Sequence, residues 1–224
     1  MSDVADRVLA RLVPDFEQEA DPGRAEGQQA YMRDQFPYLG LTLPQVRKLS
    51  KIVMTGLPRP GQDDLRAIVL RCWDLPEREF QYFACEILRG DALDPEFLPT
   101  LRTLITTKSW WDTVDPLATR VVGDLVRAHP ALATTMDAWS ADDNLWLART
   151  AILHQLHWGT ATDTRRLFSY CTAQAGHRDF FIRKAIGWAL RHYARTDPST
   201  VRAFVDAHRD VLSPLSVREA TKHL

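Results

Sequence analysis

Apolar residues recur along this chain at three- and four-residue steps, the period of a helix that buries one face. Phe97, Leu101, Leu104 and Ile105 fall on one such stripe, and Leu117, Val121, Val122 and Leu125 on another. Strict alternation, the mark of a half-buried strand, is almost absent. Proline punctuates the pattern at Asp21-Pro22, Leu75-Pro76, Asp94-Pro95, Asp115-Pro116, His129-Pro130, Asp197-Pro198 and Ser213-Pro214. Asp or Ser before Pro is a helix start: the capping oxygen accepts from an otherwise unpaired backbone N–H, and Pro lacks a donor where none is needed. The chain is therefore expected to be all-α, with about a dozen helices of roughly ten to eighteen residues. Only Gly56 to Gln62 (GLPRPGQ) reads as a longer turn.

Helices of this length, in pairs of about 35 to 40 residues, fit a superhelical stack of HEAT-like antiparallel helix pairs with a concave face. A compact helical bundle fits the same pattern, since no crisp repeat motif recurs. The expectation is a single repeat domain over residues 1–224.

Three positions break the apolar pattern. Across Phe180 to Arg195 the buried stripe is Ile182, Ala185, Ile186, Ala189 and Tyr193, and Trp188 lies off it. It shares the other face with Phe181, Lys184, Arg191 and Arg195. Aromatics among cations outside a core suit a surface that grips an anionic polymer, nucleic acid above all. Arg149 sits within the stripe formed by Leu145, Ile152 and Leu156. A cation there is costly unless an anion meets it, either a structural carboxylate or a bound phosphate. In Lys108-Ser109-Trp110-Trp111-Asp112-Thr113-Val114-Asp115, a helix would bring Trp111 and Asp115, four apart, onto one face. Trp110 aligns instead with Val114 and Leu117 as core, and Asp115 before Pro116 also reads as an ordinary N-cap.

Composition narrows the partners. The 224 residues are 45% hydrophobic, ample for a core, and the formal net charge is −1. That balance is uneven: residues 1–140 carry 16 basic against 21 acidic residues, net −5, and residues 141–224 carry 12 against 8, net +4. A basic half suits a local nucleic-acid surface, and a solvated charged face explains it equally. No run approaches the roughly 20 apolar residues of a membrane span, and the acidic opening MSDVADRVLARLV lacks the basic start of a signal peptide. Cys72, Cys85 and Cys171 lack C-x-x-C spacing, which fits a reduced, cytoplasmic setting. His154 and His157 have neither H-E-x-x-H nor a third ligand, so no metal is expected. Walker, G-x-G-x-x-G and G-x-S-x-G motifs are missing, which argues against nucleotide, dinucleotide and serine-hydrolase chemistry.

Six segments carry a resemblance: YMRDQFPYLGL (31–41), RCWDLPEREFQ (71–81), TKSWWDTVD (107–115), DNLWLARTAIL (143–153), FFIRKAIGWALRHYA (180–194) and LSVREATKH (215–223). In this order they resemble the AlkD-type alkylpurine DNA glycosylases, from about Tyr31 to the C-terminus. The resemblance implies a HEAT-like superhelix holding duplex DNA on its concave face. It also implies excision of cationic N3- or N7-alkylated purines, leaving an abasic site, with no cofactor and without enclosing the base. The family's catalytic aspartate matches Asp115, and its deoxyribose-contacting tryptophans match Trp111 and Trp188. Its backbone-gripping arginine matches Arg149, an aromatic pair beside the DNA matches Phe180 and Phe181, and a tyrosine near the lesion strand matches Tyr31. Pro116 directly after the aspartate is a local departure. Lys184, Arg191 and Arg195 complete the expected DNA-binding set, and a monomer is expected. A catalytically silent relative would bind damaged or branched DNA with the same basic strip but would lack the carboxylate or a tryptophan. A protein-interaction scaffold would present acidic and apolar patches instead.

Overall fold

Helix starts follow from the side chains that cap them. In the computed structural model, which describes residues 3–224, Asp21 accepts from the Arg24 N–H at 3.0 Å, Asp197 from Thr200 at 3.0 Å and Ser213 from Ser216 at 3.0 Å. Each cap is followed by Pro in the first helical turn, as expected. The described residues are helix and turn without strands. They divide into two compact units, Met1–Thr100 and Leu101–Leu224.

In the first unit, α1 (Asp3–Gln18), α2 (Pro22–Tyr31), α3 (Leu43–Met54), α4 (Gln62–Asp74) and α5 (Arg78–Leu88) follow one another. Packing of α1 on α3 and of α3 on α5 makes alternate helices the stacked layer of a helical repeat. Phe16 of α1 stacks on Phe80 at 5.7 Å and meets Phe83 edge-on at 6.1 Å, both from α5. The connection from α2 to α3 is longer than the sequence pattern suggests, and a buried carboxylate holds it. Glu79 accepts from the N–H groups of Leu39 (3.0 Å), Gly40 (2.8 Å) and Leu41 (3.0 Å). Gly40 has φ +96°, and a Cβ there would lie 2.1 Å from the Asp21 carbonyl oxygen, so no larger residue fits. Two of the six motif segments thus meet as a structural joint.

Next along the chain come α6 (Leu98–Thr106), α7 (Trp111–Pro116), a π-helical segment over Leu117–Val122, and α8 (Gly123–Ala128). There follow α9 (Ala133–Trp139), α10 (Leu145–Leu153), α11 (Thr164–Ala173), α12 (Phe180–Tyr193), α13 (Pro198–Ala207) and α14 (Pro214–Ala220). The π segment, α10, α12 and α14 pack in succession, again as alternate helices. Every residue of α10 from Trp146 to Leu153 is buried, as befits a helix covered on all sides. Close approach explains part of this: a Cβ on Gly123 would lie 2.2 Å from the His154 carbonyl oxygen.

Four expectations are corrected. Asp115-Pro116 does not start a helix, because α7 has already begun at Trp111 and runs through Pro116. Pro116 cannot donate to the carbonyl four residues back, and the wider π turn follows directly, with the Thr119 hydroxyl donating to the Asp115 carbonyl at 2.8 Å. Leu75-Pro76 lies in the bend before α5, whereas the Asp94 and His129 pairs open 3₁₀ turns that run directly into α6 and α9. Some helices are shorter than expected, α10 at nine residues and α14 at seven, whereas Trp111 to Ala128 is one helical path in three segments. Tyr193 is half-buried rather than core, and sets its ring edge-on to Phe168.

Candidate active site

Arg149 finds its anion in Asp115. The guanidinium Nε donates to Asp115 Oδ1 at 2.7 Å and Nη2 to Oδ2 at 2.8 Å, a bidentate pair whose side chains are only 4% and 15% exposed. A third bond runs from Nη1 to the Phe181 carbonyl in the first turn of α12. Arg149 therefore ties α7, α10 and α12 together. The two residues singled out for separate reasons in the sequence are partners, and the open choice for Arg149 falls to the carboxylate in this structure.

Burial pushes the Asp115 carboxyl above the ordinary carboxylate range, Arg149 pulls it back, and Asp112 adds repulsion in the same direction as burial. The bidentate bonds favour the ionised form and burial opposes it, leaving the carboxyl above the ordinary carboxylate range.

Aromatic rings gather beside Arg149. Trp110, Trp146 and Phe181 contact one another, with ring centroids 5.0 to 5.9 Å apart, and Arg149 Cζ lies 5.9 Å from the Phe181 centroid. Trp110 is thus half-buried in this cluster rather than in the core line of Val114 and Leu117. Its indole N–H is buried without a hydrogen-bond partner among the described residues. Trp146, buried and three residues before Arg149, is a member that the sequence pattern did not single out. The only signal was its place within the DNLWLARTAIL segment.

The remaining candidates fall into three groups. Trp111, four residues before Asp115 on α7, is half-buried, and Phe180 is exposed with its ring edge-on to Phe181 at 5.5 Å. On α12, Trp188 is half-buried and outside the buried stripe, as expected. Its neighbours differ from expectation: Lys184 Nζ lies 2.8 Å and Arg191 Nη1 2.6 Å from the two oxygens of Glu219 on α14. Of the three cations on the strip, Arg195 is the exposed one. Tyr31 is exposed at the end of α2 in the first unit.

His154 and His157 diverge, the first buried against Trp158 and the second facing His192 at 5.3 Å. Cys72, Cys85 and Cys171 are buried and form no disulfide among the described residues. No helix among the described residues is long and apolar enough to cross a membrane.

Stacked helix pairs that bury a carboxylate–guanidinium pair among aromatic rings define the class: an all-α helical-repeat protein with a built polar centre. Residues 12–224 match the family described as DNA alkylation repair enzyme, and the chain belongs to that family. A predicted DNA alkylation repair enzyme from Enterococcus faecalis shares its fold with a TM-score of 0.83 and 29% identity, over 92% of this chain and 96% of the other. The smu.31 protein of Streptococcus mutans UA159 is similar in fold alone, with a TM-score of 0.63 and 14% identity over 81% of this chain and 92% of its own. No curated protein sequence matches the chain. The family is one of DNA repair enzymes, which makes DNA the substrate class.

Proposed function

We propose that this protein is a monofunctional DNA glycosylase that removes cationic N3- and N7-alkylated purines from duplex DNA. The observation that carries the reading is the Asp115 carboxylate, mostly buried, held in a fixed orientation by Arg149 and still partly open to solvent, with Trp111 four residues away on the same helix.

Alkylation at N3 or N7 leaves the base positively charged. When the bond from C1′ of deoxyribose to the base nitrogen breaks, its electron pair goes to the base, which departs neutral and needs little acid catalysis. Positive charge builds on the sugar instead. A fixed carboxylate in a partly dry site stabilises that charge more than water does, because it need not reorganise during the reaction. Aromatic faces at Trp111 and Trp188 add attraction for the cationic sugar. Water then bonds to C1′ and loses its proton to Asp115 or to solvent. No amine nucleophile is required, so the product is an abasic site on an intact strand.

Arg149 takes the role of orienting Asp115, and its contact with the DNA backbone is a part of the family pattern that requires the guanidinium to serve both. Phe180, Arg195 and Tyr31 are exposed and available to DNA. Charge on the base, rather than its shape, sets selectivity. The enzyme is expected to act as a monomer in the cytoplasm.

One observation favours the silent DNA-binding relative: both Asp115 oxygens are engaged by Arg149, as in a purely structural ion pair. Release of free base from duplexes carrying N7-methylguanine, N3-methyladenine or uracil separates the two readings. The glycosylase releases the cationic bases and leaves uracil in place. Salt-dependent DNA binding without release of any base supports the silent relative, and equal excision of uracil contradicts the charge-based mechanism.

A further inference from the structure

Glu219, on α14, pairs with two cations of the expected DNA-binding strip, and the sequence pattern did not single it out. Lys184, Trp188 and Arg191 stand at i, i+4 and i+7 on α12, a single line along the helix. Glu219 Oε1 reaches Lys184 and Oε2 reaches Arg191, so one carboxylate spans the two positions that flank Trp188. The helix carrying it is pressed close. A Cβ on Gly187 would lie 2.4 Å from Glu219 Cβ and 3.0 Å from the Ser216 carbonyl oxygen, so only glycine lets α14 approach here. The Ser216 hydroxyl also donates to the Arg183 carbonyl at 2.9 Å, fixing the register of α14 on α12. Glu219 is buried, and Lys184, with Arg191 and Lys222, holds its carboxyl below the ordinary range.

We infer that Glu219 is a positioning residue. It holds Lys184 and Arg191 beside Trp188 and off the phosphates, so that the strip presents an aromatic face with fixed flanks rather than two mobile cations. The inference rests on the glycosylase reading for its catalytic part and on the ion pairs alone for its binding part. Without the carboxylate, Lys184 and Arg191 turn to phosphate, and each new contact releases about one counterion. Grip on DNA then increases while Trp188 loses its fixed surroundings, so binding and chemistry move in opposite directions.

The test is Glu219→Gln, which keeps the shape of the side chain, with Glu219→Asp as a second variant and thermal unfolding of both as a check on folding. DNA affinity is measured against salt on undamaged duplex, and single-turnover base release on N7-methylguanine duplex. For Glu219→Gln the slope of log affinity against log salt is expected to steepen by about 1 to 2, while the single-turnover rate falls about 10-fold. Glu219→Asp, which keeps the charge, restores most of the wild-type slope. An unchanged slope in Glu219→Gln overturns the inference, as does a parallel loss of binding, rate and thermal stability, the pattern of a merely structural residue. Absence of base release by the wild type contradicts the glycosylase reading, and the salt slope still decides the role of Glu219.

Discussion

Arg149→Met removes the cation from the Asp115 pair and keeps most of the side-chain volume. The pair is bidentate at 2.7 and 2.8 Å with the arginine 4% exposed, and the same guanidinium also binds the Phe181 carbonyl. Deleting one partner of such a pair costs about 3–5 kcal/mol, because the other charge stays buried without compensation. The lower figure applies here, since Asp115 retains some exposure and can take up a proton. For a chain of this size, about 3 kcal/mol lowers Tm by roughly 6–12 °C. Six of the seven tryptophans lie in residues 101–224, so fluorescence-detected unfolding reports on the unit that holds the pair. A double-mutant cycle isolates the interaction. Asp115→Asn and Arg149→Met each destabilise, and the double variant is expected to recover about 2 kcal/mol or more of their sum. Additive effects, or a loss under about 1 kcal/mol for Arg149→Met, would refute the reasoning that the pair organises α7, α10 and α12.

Two further outcomes depend on pH. Base release requires ionised Asp115, whose carboxyl is raised by burial, so the rate should fall on acidification at a higher pH than an ordinary carboxylate gives; a rate limb at or below the ordinary range would contradict this. Burial pushes the His154 imidazole from 6.5 down to about 4. The unfolded chain therefore binds a proton between those values that the folded chain refuses, and stability present above pH 6.5 is lost as pH falls toward 4, by ~3 kcal/mol for this group. Unfolding free energies at pH 7 and 4.5 for wild type and His154→Gln check this, and equal pH dependence in both would rule it out.

What was legible in the sequence was local. Asp21, Asp197 and Ser213 cap helices through bonds to residues three positions on, so the letters alone reveal them. Asp115-Pro116 carries the same letters, yet α7 began earlier and the carboxylate turned to Arg149, 34 residues away in sequence. Long-range pairing prevailed over the local signal. Arg149 was conspicuous as a charge in an apolar stripe, and Trp188 as an aromatic outside one, because periodicity marks a misplaced residue without naming its partner. The partner of Lys184 and Arg191 lies on α14, beyond any helical period, and the ring contacts of Trp110 and Trp146 with Phe181 require three helices to meet. The resemblance names candidate residues in order along the chain, which spacing alone does not do.

The central claim is that Asp115 stabilises charge on the sugar as the base departs. The most direct test is the single-turnover rate of N7-methylguanine release from duplex DNA by wild type and Asp115→Asn, with Trp188→Ala alongside and DNA affinity measured for each. The wild type is expected to release the base, Asp115→Asn to fall by about 100-fold or more with affinity retained, and Trp188→Ala to fall less. Wild-type release that survives in Asp115→Asn would contradict the claim.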